Sequence, residues 1–354
     1  NQLTPKMKRL FLLVLTLVST LTIEAQQTAL QKANALLQSK KELTFTFQVS
    51  NHKVLNEFSK SLSIVNYNDA THTVTAWANA DQFNAFLSKN IPFEVPNPEN
   101  DLTARLMSNQ LPTVNNDPSY TLTFPLTAYP TYADYAQQMT DFANLYPNLC
   151  ELVDLGPTTE GDKHLLFLKI SDNIGTDEQE PRLLYTSTMH GDEVTGYVLM
   201  LDLIDYLLTA YNDTGHTDHL RIKDLIDNSE IWINPNANPD GTYYNDPSNT
   251  SLTYARRANA NNIDLNRNYP DNVGGSHPDG NAYQIETQAF MNLAASTHFV
   301  VSANFHGGTE VFNYPWDNTS TRHPDDDWFF FVGKEYAINC QNNSPSGYMD
   351  AVYA

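Results

Sequence analysis

Two short segments of the chain together supply two histidines and one glutamate that could bind a metal ion. His190 and Glu193 lie three residues apart in the segment HGDEVTG, on a turn that contains glycine, and His306 follows the apolar stretch 299–305. Imidazole nitrogens and carboxylate oxygens both bind zinc, and two histidines with one glutamate leave one coordination position for water. These residues therefore predict a catalytic Zn²⁺ site rather than a closed structural one.

A segment between them carries residues suited to an anionic or carbonyl ligand. Asn266 and Arg267 adjoin in DLNRNYP, and a guanidinium beside an amide can bind a carboxylate through several hydrogen bonds. A second guanidinium, from Arg256 or Arg257, could polarise a carbonyl near the metal and stabilise its oxyanion. The alternative for each arginine is a solvated surface charge.

The elements that must position these residues alternate between strand and helix. Apolar runs at 165–170, 183–186, 230–234 and 299–305 predict strands, and residues 198–208 predict a strongly apolar helix. This order indicates an α/β fold, a three-layer α/β/α domain with a mixed, largely parallel sheet. Both metal-binding segments follow predicted strands, and open α/β sheets bind ligands at the carboxyl ends of their strands.

The chain before this domain divides into three further parts. Lys6, Lys8 and Arg9 precede the apolar residues 10–23, which predicts a signal peptide over 1–25 and a secreted or periplasmic protein. An N-terminal membrane anchor is the alternative. Residues 26–98 show the pattern β-α-β-β-α-β, which predicts a small α+β ferredoxin-like domain. The proline-rich residues 99–130 predict a linker, leaving 131–354 for the α/β domain.

The composition of the chain argues against some classes of binding partner. The chain has 41 acidic and 20 basic residues, a net charge of −21, which argues against nucleic acid as a partner. Once the signal peptide is removed, no stretch approaches the roughly 20 apolar residues that a membrane span needs. Cys150 and Cys340 are the two cysteines, and in an exported protein they either pair or remain free thiols.

Four motifs in this order resemble the zinc metallocarboxypeptidases related to pancreatic carboxypeptidases A and B. They are HGDEVTG, NPDG, RANANNIDLNRNYPD and SANFHGGTEVFNYPWD, and they are most similar to the branch with carboxypeptidases N, E, M and D. The resemblance covers about the last two-thirds of the chain. It implies Zn²⁺ as cofactor, with the ligands His190, Glu193 and His306.

The same resemblance implies how a substrate is bound. Arg257, selected over its neighbour by its spacing from DLNRN, matches the arginine that polarises the scissile carbonyl. Asn266 and Arg267 match the pair that binds the terminal carboxylate, so peptide or protein C-termini are the expected partners. Asp317 falls where basic-specific members carry an acid, which implies removal of C-terminal Lys or Arg; the alternative is an exposed loop acid.

Two catalytic residues of the family have no counterpart among the matched motifs. The general-base glutamate and the substrate-covering tyrosine find no match before Ala354, so the expected catalytic domain is truncated at its C-terminus. Two alternatives to a carboxypeptidase stay open. One is a zinc amidohydrolase acting on peptidoglycan stem peptides or acylated amino acids, and the other is a non-catalytic peptide-binding homologue. Residues 26–98 are either a pro-domain that shields the active site or a permanent accessory domain.

Overall fold

The computed structural model describes residues 26–59, 61–96, 123–307, 311–317, 319 and 321–343. The predicted signal peptide and residues 99–122 of the predicted linker lie outside these residues. The described chain contains two sheets, one of four strands and one of five. We call residues 26–96 the N-terminal unit and residues 123–343 the C-terminal unit.

The N-terminal unit follows the order of elements that the apolar pattern predicts, preceded by helix α1 at residues 26–39. Its other elements are β1 Glu42–Gln48, α2 His52–Phe58, β2 Ser63–Asn68, β3 Thr73–Asn79, α3 Ala80–Leu87 and β4 Phe93–Glu94. The sheet has the order β2-β3-β1-β4 with antiparallel pairing throughout. The side chain of Asn79 accepts a hydrogen bond from the backbone of Gln82 and so begins α3 directly after β3.

Phenylalanine rings fill the core of the N-terminal unit. The ring of Phe45 lies 4.8–6.1 Å, centroid to centroid, from the rings of Phe83, Phe86 and Phe93. Successive residues of a strand point to opposite faces, so Phe45 and Phe47, two positions apart, lie together under the helices. The unit therefore has a hydrophobic core of its own.

The C-terminal unit is built around the five-stranded sheet, in the order β5-β6-β8-β7-β9. The strands are β5 Cys150–Pro157, β6 His164–Ile170, β7 Arg182–Ser187, β8 Glu230–Asn234 and β9 Val301–Phe305. The helices are α4 Tyr132–Leu145, α5 Thr195–Asn212, α6 His219–Ile226, α7 Pro239–Thr242, α8 Ile285–Thr297 and α9 Asp326–Asn342.

The prediction of a largely parallel sheet is correct for only three of these strands. Strands β8, β7 and β9 run parallel, whereas β6 pairs antiparallel with both β5 and β8. Strand β5 was not predicted, because charged residues interrupt its apolar pattern. A short turn joins β5 to β6, and such a connection can only produce an antiparallel pair. The sheet is therefore mixed.

Helices cover both faces of this sheet. Leu166 and Leu168 of β6 point to the core formed with α4, α5 and α6. Phe167, between them, points to the opposite face and packs with Trp232 and Leu293, the latter from α8. The three-layer α/β/α arrangement predicted from the sequence is thus present.

The structure also locates part of the predicted linker and the two cysteines. Residues 123–130, assigned to the linker from their prolines, pack on the C-terminal unit through buried Leu126 and Tyr129. Cys150 is buried and Cys340 partly buried, and both are free thiols. Among the described helices, none combines the length and apolarity that crossing a membrane requires.

Candidate active site

The candidate ligands lie at the carboxyl ends of the parallel strands. His190 and Glu193 are in the loop between β7 and α5, and His306 follows β9 directly. Because β7 and β9 are paired in parallel register, with Ser187 opposite Phe305, their ends bring the two loops together. The structure thus joins residues that are 113 positions apart in sequence.

The three side chains form one cluster that suits a metal ion. The Nδ1 atom of His190 lies 2.8 Å from Oε1 of Glu193, and Nδ1 of His306 lies 2.8 Å from Oε2. The two Nδ1 atoms are 3.0 Å apart, and one ligand atom from each residue falls within 4.8 Å of the others. Two imidazole lone pairs and a carboxylate at this separation repel one another unless a proton or a cation lies among them. The donor set of two nitrogens and one carboxylate fits Zn²⁺.

The electrostatic surroundings of these side chains favour a positive charge among them. Burial alone would raise the pKa of Glu193, but the positive charge and hydrogen bonds of His190, together with His306, hold it well below its usual range. Burial and Arg257 lower the pKa of His190, whereas Glu193 and Asp264 raise it by more. A cation is therefore favoured in the space among them.

Arg257 lies beside this cluster, as the sequence predicts for an oxyanion-stabilising residue. Its Nη1 lies 3.3 Å from Oε1 of Glu193, and its Nε donates to Oδ2 of Asp264 at 3.0 Å. Burial lowers the pKa of Arg257, but the nearby carboxylates, chiefly that of Asp264, raise it by more, so the guanidinium stays charged. A carbonyl bound at the metal would be within reach of a positive charge held in place.

Asp264 is a buried carboxylate that contacts the candidate site residues, and the sequence interpretation gave it no role. Its Oδ1 accepts from His190 Nε2 at 3.2 Å and from the backbone N–H of Asn266 at 2.9 Å. Burial would raise the pKa of Asp264, yet Arg257 and His190 hold it well below the usual range. One carboxylate thus orients a candidate ligand and the adjacent arginine. The indication that the sequence offered was that Asp264 is the first residue of the DLNRN motif.

The loop after β8, which contains the NPDG motif, fixes the backbone of the other loops. Asn238 donates through Nδ2 to the carbonyls of Met189 and Arg257, at 3.1 and 3.2 Å, and is fully buried. Its Oδ1 accepts from the N–H of Gly241. Asn238 therefore fixes the residue before His190 relative to Arg257.

The predicted carboxylate-binding pair is more open to solvent. Asn266 and Arg267 belong to a short 3₁₀ helix, Leu265–Arg267, in which Asn266 is exposed and Arg267 is partly buried. Asp317 is exposed, but desolvation by neighbouring atoms raises its pKa, and the charge of Arg267 opposes this shift. The structure thus brings Asp317 into the electrostatic range of Arg267, without an ion pair between them.

A second group of acidic residues in the described chain already contains its own cation. Oxygen atoms of Glu160, Asp162 and Asp240 lie close enough together to suggest a metal site. The ammonium of Lys163 lies 2.7, 2.8 and 3.3 Å from their oxygens and is almost fully buried. Lysine balances the charge of this group, which we interpret as structural.

The N-terminal unit contacts the same segment that carries Arg257. Oε1 of Glu42 accepts from the backbone N–H of Arg257 at 2.8 Å, and Oε2 accepts from that of Ala258 at 3.2 Å. Ser63 donates to Oδ2 of Asp264 at 2.5 Å. The ring of Trp77 lies 5.9 Å from the guanidinium carbon of Arg257. These contacts place the N-terminal unit over the part of the site that contains Arg257 and Asp264.

Comparison with known proteins agrees with this geometry. Residues 135–352 match the profile of the zinc carboxypeptidases. The chain belongs to this family. Human carboxypeptidase D is 39% identical over 224 residues, which cover 58% of this chain and 15% of that protein. The catalytic chain of human carboxypeptidase N is 33% identical over 257 residues, covering 61% of this chain and 55% of that protein.

The chain therefore spans at most about half the length of the curated relatives named above. Its fold is also similar to that of solved structures. Carboxypeptidase A from Helicoverpa armigera matches with a TM-score of 0.62 at 18% identity, covering 87% of this chain and 80% of that one. Thrombin-activatable fibrinolysis inhibitor matches with a TM-score of 0.58 at 17% identity, covering 86% and 81%.

The turn that carries His190 tests how strictly the site depends on backbone contact. A Cβ at Gly191 would lie 2.3 Å from the backbone carbonyl carbon of Gly241. Because both atoms are fixed by the backbone, the clash can be relieved only if one of the two loops moves. We expect Gly191→Ala to lower the free energy of unfolding by about 1–3 kcal/mol. Zinc affinity should fall at least about tenfold, measured by chelator competition.

Gly215→Ala is the matched control, because its new methyl group meets only the flexible carboxylate of Asp213 at 3.2 Å. It should leave both quantities close to wild type. Wild-type zinc affinity in Gly191→Ala would show that the turn can move without disturbing His190.

Proposed function

We propose that this protein is a zinc-dependent carboxypeptidase that removes residues from the C-termini of peptides or proteins. The observation that carries the proposal is the position of Arg257, within 3.3 Å of a metal-binding cluster and seven residues before Asp264. His190, Glu193 and His306 would hold Zn²⁺, which polarises a carbonyl and activates water when bound. Family membership supports zinc as the metal.

The residues of the chain itself have separate tasks in this proposal. Arg257 stabilises the oxyanion that develops on the scissile carbonyl, because its charge is buried and fixed by Asp264. Asn266 and Arg267 bind the free α-carboxylate, which restricts cleavage to the last peptide bond. The exposure of Asn266 agrees with a role in contacting substrate rather than in packing.

Removal of the carboxylate-binding charge tests the exopeptidase assignment. We expect Arg267→Ala to lower kcat/KM for benzoyl-glycyl-arginine by about 10–100-fold, since hydrogen bonds to charged groups are worth about 1.5–3 kcal/mol. The C-terminally amidated peptide should be a poor substrate for both enzymes. Arg322→Ala is the control, because this arginine precedes α9, is largely exposed and forms a surface ion pair with Asp326.

The outcomes separate the proposal from its alternatives. Equal rates for wild type and Arg267→Ala would contradict the exopeptidase assignment. Zinc-dependent peptide binding without product release would indicate a peptide-binding homologue, since no matched motif supplies the general-base glutamate. Release from muropeptides or acylated amino acids alone would indicate an amidohydrolase.

Asp317 supports a preference for C-terminal Lys or Arg. Among the described residues, no lysine, arginine or histidine nitrogen lies within 4.0 Å of its carboxylate, so its charge is available to a substrate. We expect Asp317→Asn to lower kcat/KM at least about tenfold for C-terminal arginine and to change it little for C-terminal phenylalanine. Asp325→Asn, at a largely exposed aspartate, is the control. An equal loss on both substrates would remove the basis for a basic preference.

The N-terminal unit is proposed to be a ferredoxin-like pro-domain that covers the site. Its strand order and its position over Arg257 and Asp264 support this role. The structural similarity covering 87% of the chain exceeds the share that follows residue 122, so it extends into this unit. Proteolysis in the predicted linker should then raise activity, and no gain would indicate a permanent accessory domain.

Glu42 makes this contact dependent on pH. Burial first, and the charge of Asp192 next, raise the pKa of Glu42 from 4.5 to about 7, although Arg256 and the two backbone amides oppose the shift. In the separated unit the pKa returns to its ordinary value, so docking takes up a proton. Raising the pH from about 5 to 7 should therefore weaken docking.

The measurement is co-elution of the two units after cleavage of the linker, at pH values from 5 to 8. Glu42→Gln should remove the pH dependence of docking, because a glutamine amide does not titrate between pH 5 and 8. Glu94→Gln, at an exposed residue of β4, is the control. Docking that strengthens as the pH rises would contradict the role of Glu42.

We also propose that the protein is exported, because Lys6, Lys8 and Arg9 precede the apolar residues 10–23, as in a signal peptide. N-terminal sequencing of the exported protein would identify the cleavage site. An uncleaved, membrane-bound product would favour the anchor instead.

A further inference from the structure

The two candidate histidine ligands differ in what contacts their outer nitrogens. In His190, Nδ1 faces the cluster and Nε2 lies 3.2 Å from the buried carboxylate of Asp264. In His306, Nδ1 also faces the cluster, but Nε2 lies 3.2 Å from the side-chain amide of Asn304. An amide thus occupies the position at His306 that a carboxylate occupies at His190.

Metal binding through Nδ1 fixes the proton on the other nitrogen. A neutral imidazole has one N–H and one lone pair, so a ring that gives its Nδ1 lone pair to the metal carries hydrogen on Nε2. A histidine ligand almost always donates this N–H to an acceptor, which sets the ring orientation and raises ligand basicity. His306 therefore requires an acceptor at Nε2, and among the described residues Asn304 provides the one polar side chain in hydrogen-bond contact there.

The surroundings of Asn304 accommodate an amide that accepts. Asn304 is the parallel register partner of Thr186, whose Oγ1 lies 3.1 Å from the amide. A hydroxyl can either donate or accept, so the amide can turn by 180° and keep this hydrogen bond. Its NH₂ group then donates to Thr186, and its oxygen accepts from Nε2–H of His306. The contact given up is a weak one with the sulfur of Met189, at 3.6 Å.

The spacing in the chain explains why these side chains meet. Asn304 lies two residues before His306, and alternate residues of an extended chain project to the same face. Thr186 is buried in the sheet and fixes the amide from the neighbouring strand. We propose that Asn304 is a positioning residue for the metal site, accepting a hydrogen bond from His306 and fixing its tautomer and orientation.

This inference rests on the zinc ligands proposed above, and its test measures zinc binding rather than peptide hydrolysis. We expect Asn304→Leu, which has a similar shape but no acceptor, to weaken zinc binding by about 10–100-fold in chelator competition. Asn304→Asp retains an acceptor and should stay within a few-fold of wild type. The thermal midpoints of the metal-free proteins should match, because Asn304 is exposed on the last strand of the sheet formed by the described residues.

Ser302→Leu is the matched control, because Ser302 is exposed on the same face of β9, two residues before Asn304. It should leave zinc affinity unchanged. Wild-type affinity in Asn304→Leu would overturn the proposal, as would equal losses in Asn304→Leu and Asn304→Asp. His306→Ala separates the two levels of inference. If it binds zinc normally, the proposed ligand set fails; if it loses zinc while Asn304→Leu does not, only the role of Asn304 fails.

Discussion

The buried carboxylate of Asp264 accepts hydrogen bonds from His190, Arg257 and the backbone of Asn266. A charge removed from water is tolerated only when its acceptor positions are filled by good donors, so the donors are held as firmly as the acceptor. The candidate metal-binding cluster, Arg257 and the start of the 3₁₀ helix Leu265–Arg267 are therefore all positioned by this one carboxylate. Any displacement of this carboxylate would change the relative positions of all three.

The sheet provides the second constraint, since it brings together the loops that carry these groups. The parallel strands β8, β7 and β9 end at one edge, where close backbone packing at Gly191 and Gly241 and the amide of Asn238 join the loops. Rigid backbone contacts suit a site whose three ligand atoms must approach one another against their own repulsion. Bound zinc would replace that repulsion with coordination bonds, so folding and metal binding are expected to support each other.

The N-terminal unit uses the same polar groups that orient the site. Glu42 binds the amides at Arg257 and Ala258, and Ser63 shares the Asp264 carboxylate with Arg257. Inhibition by such contacts would act on the groups that stabilise a transition state, without requiring any side chain to displace the metal. It would also make release of the unit sensitive to the charge of Glu42.

The amino-acid pattern alone was sufficient to predict the family, the candidate metal ligands and most strands of the C-terminal unit. The motifs around His190, Arg257 and His306 are short and local, and their chemistry depends on residue type and spacing. Strand β5 escaped prediction because a partly exposed edge strand lacks a continuous apolar pattern. Asp264, Asn304 and Glu42 also remained without roles. Their partners lie 74, 118 and 215 positions away, and only the tertiary structure decides which donor meets which acceptor across such distances.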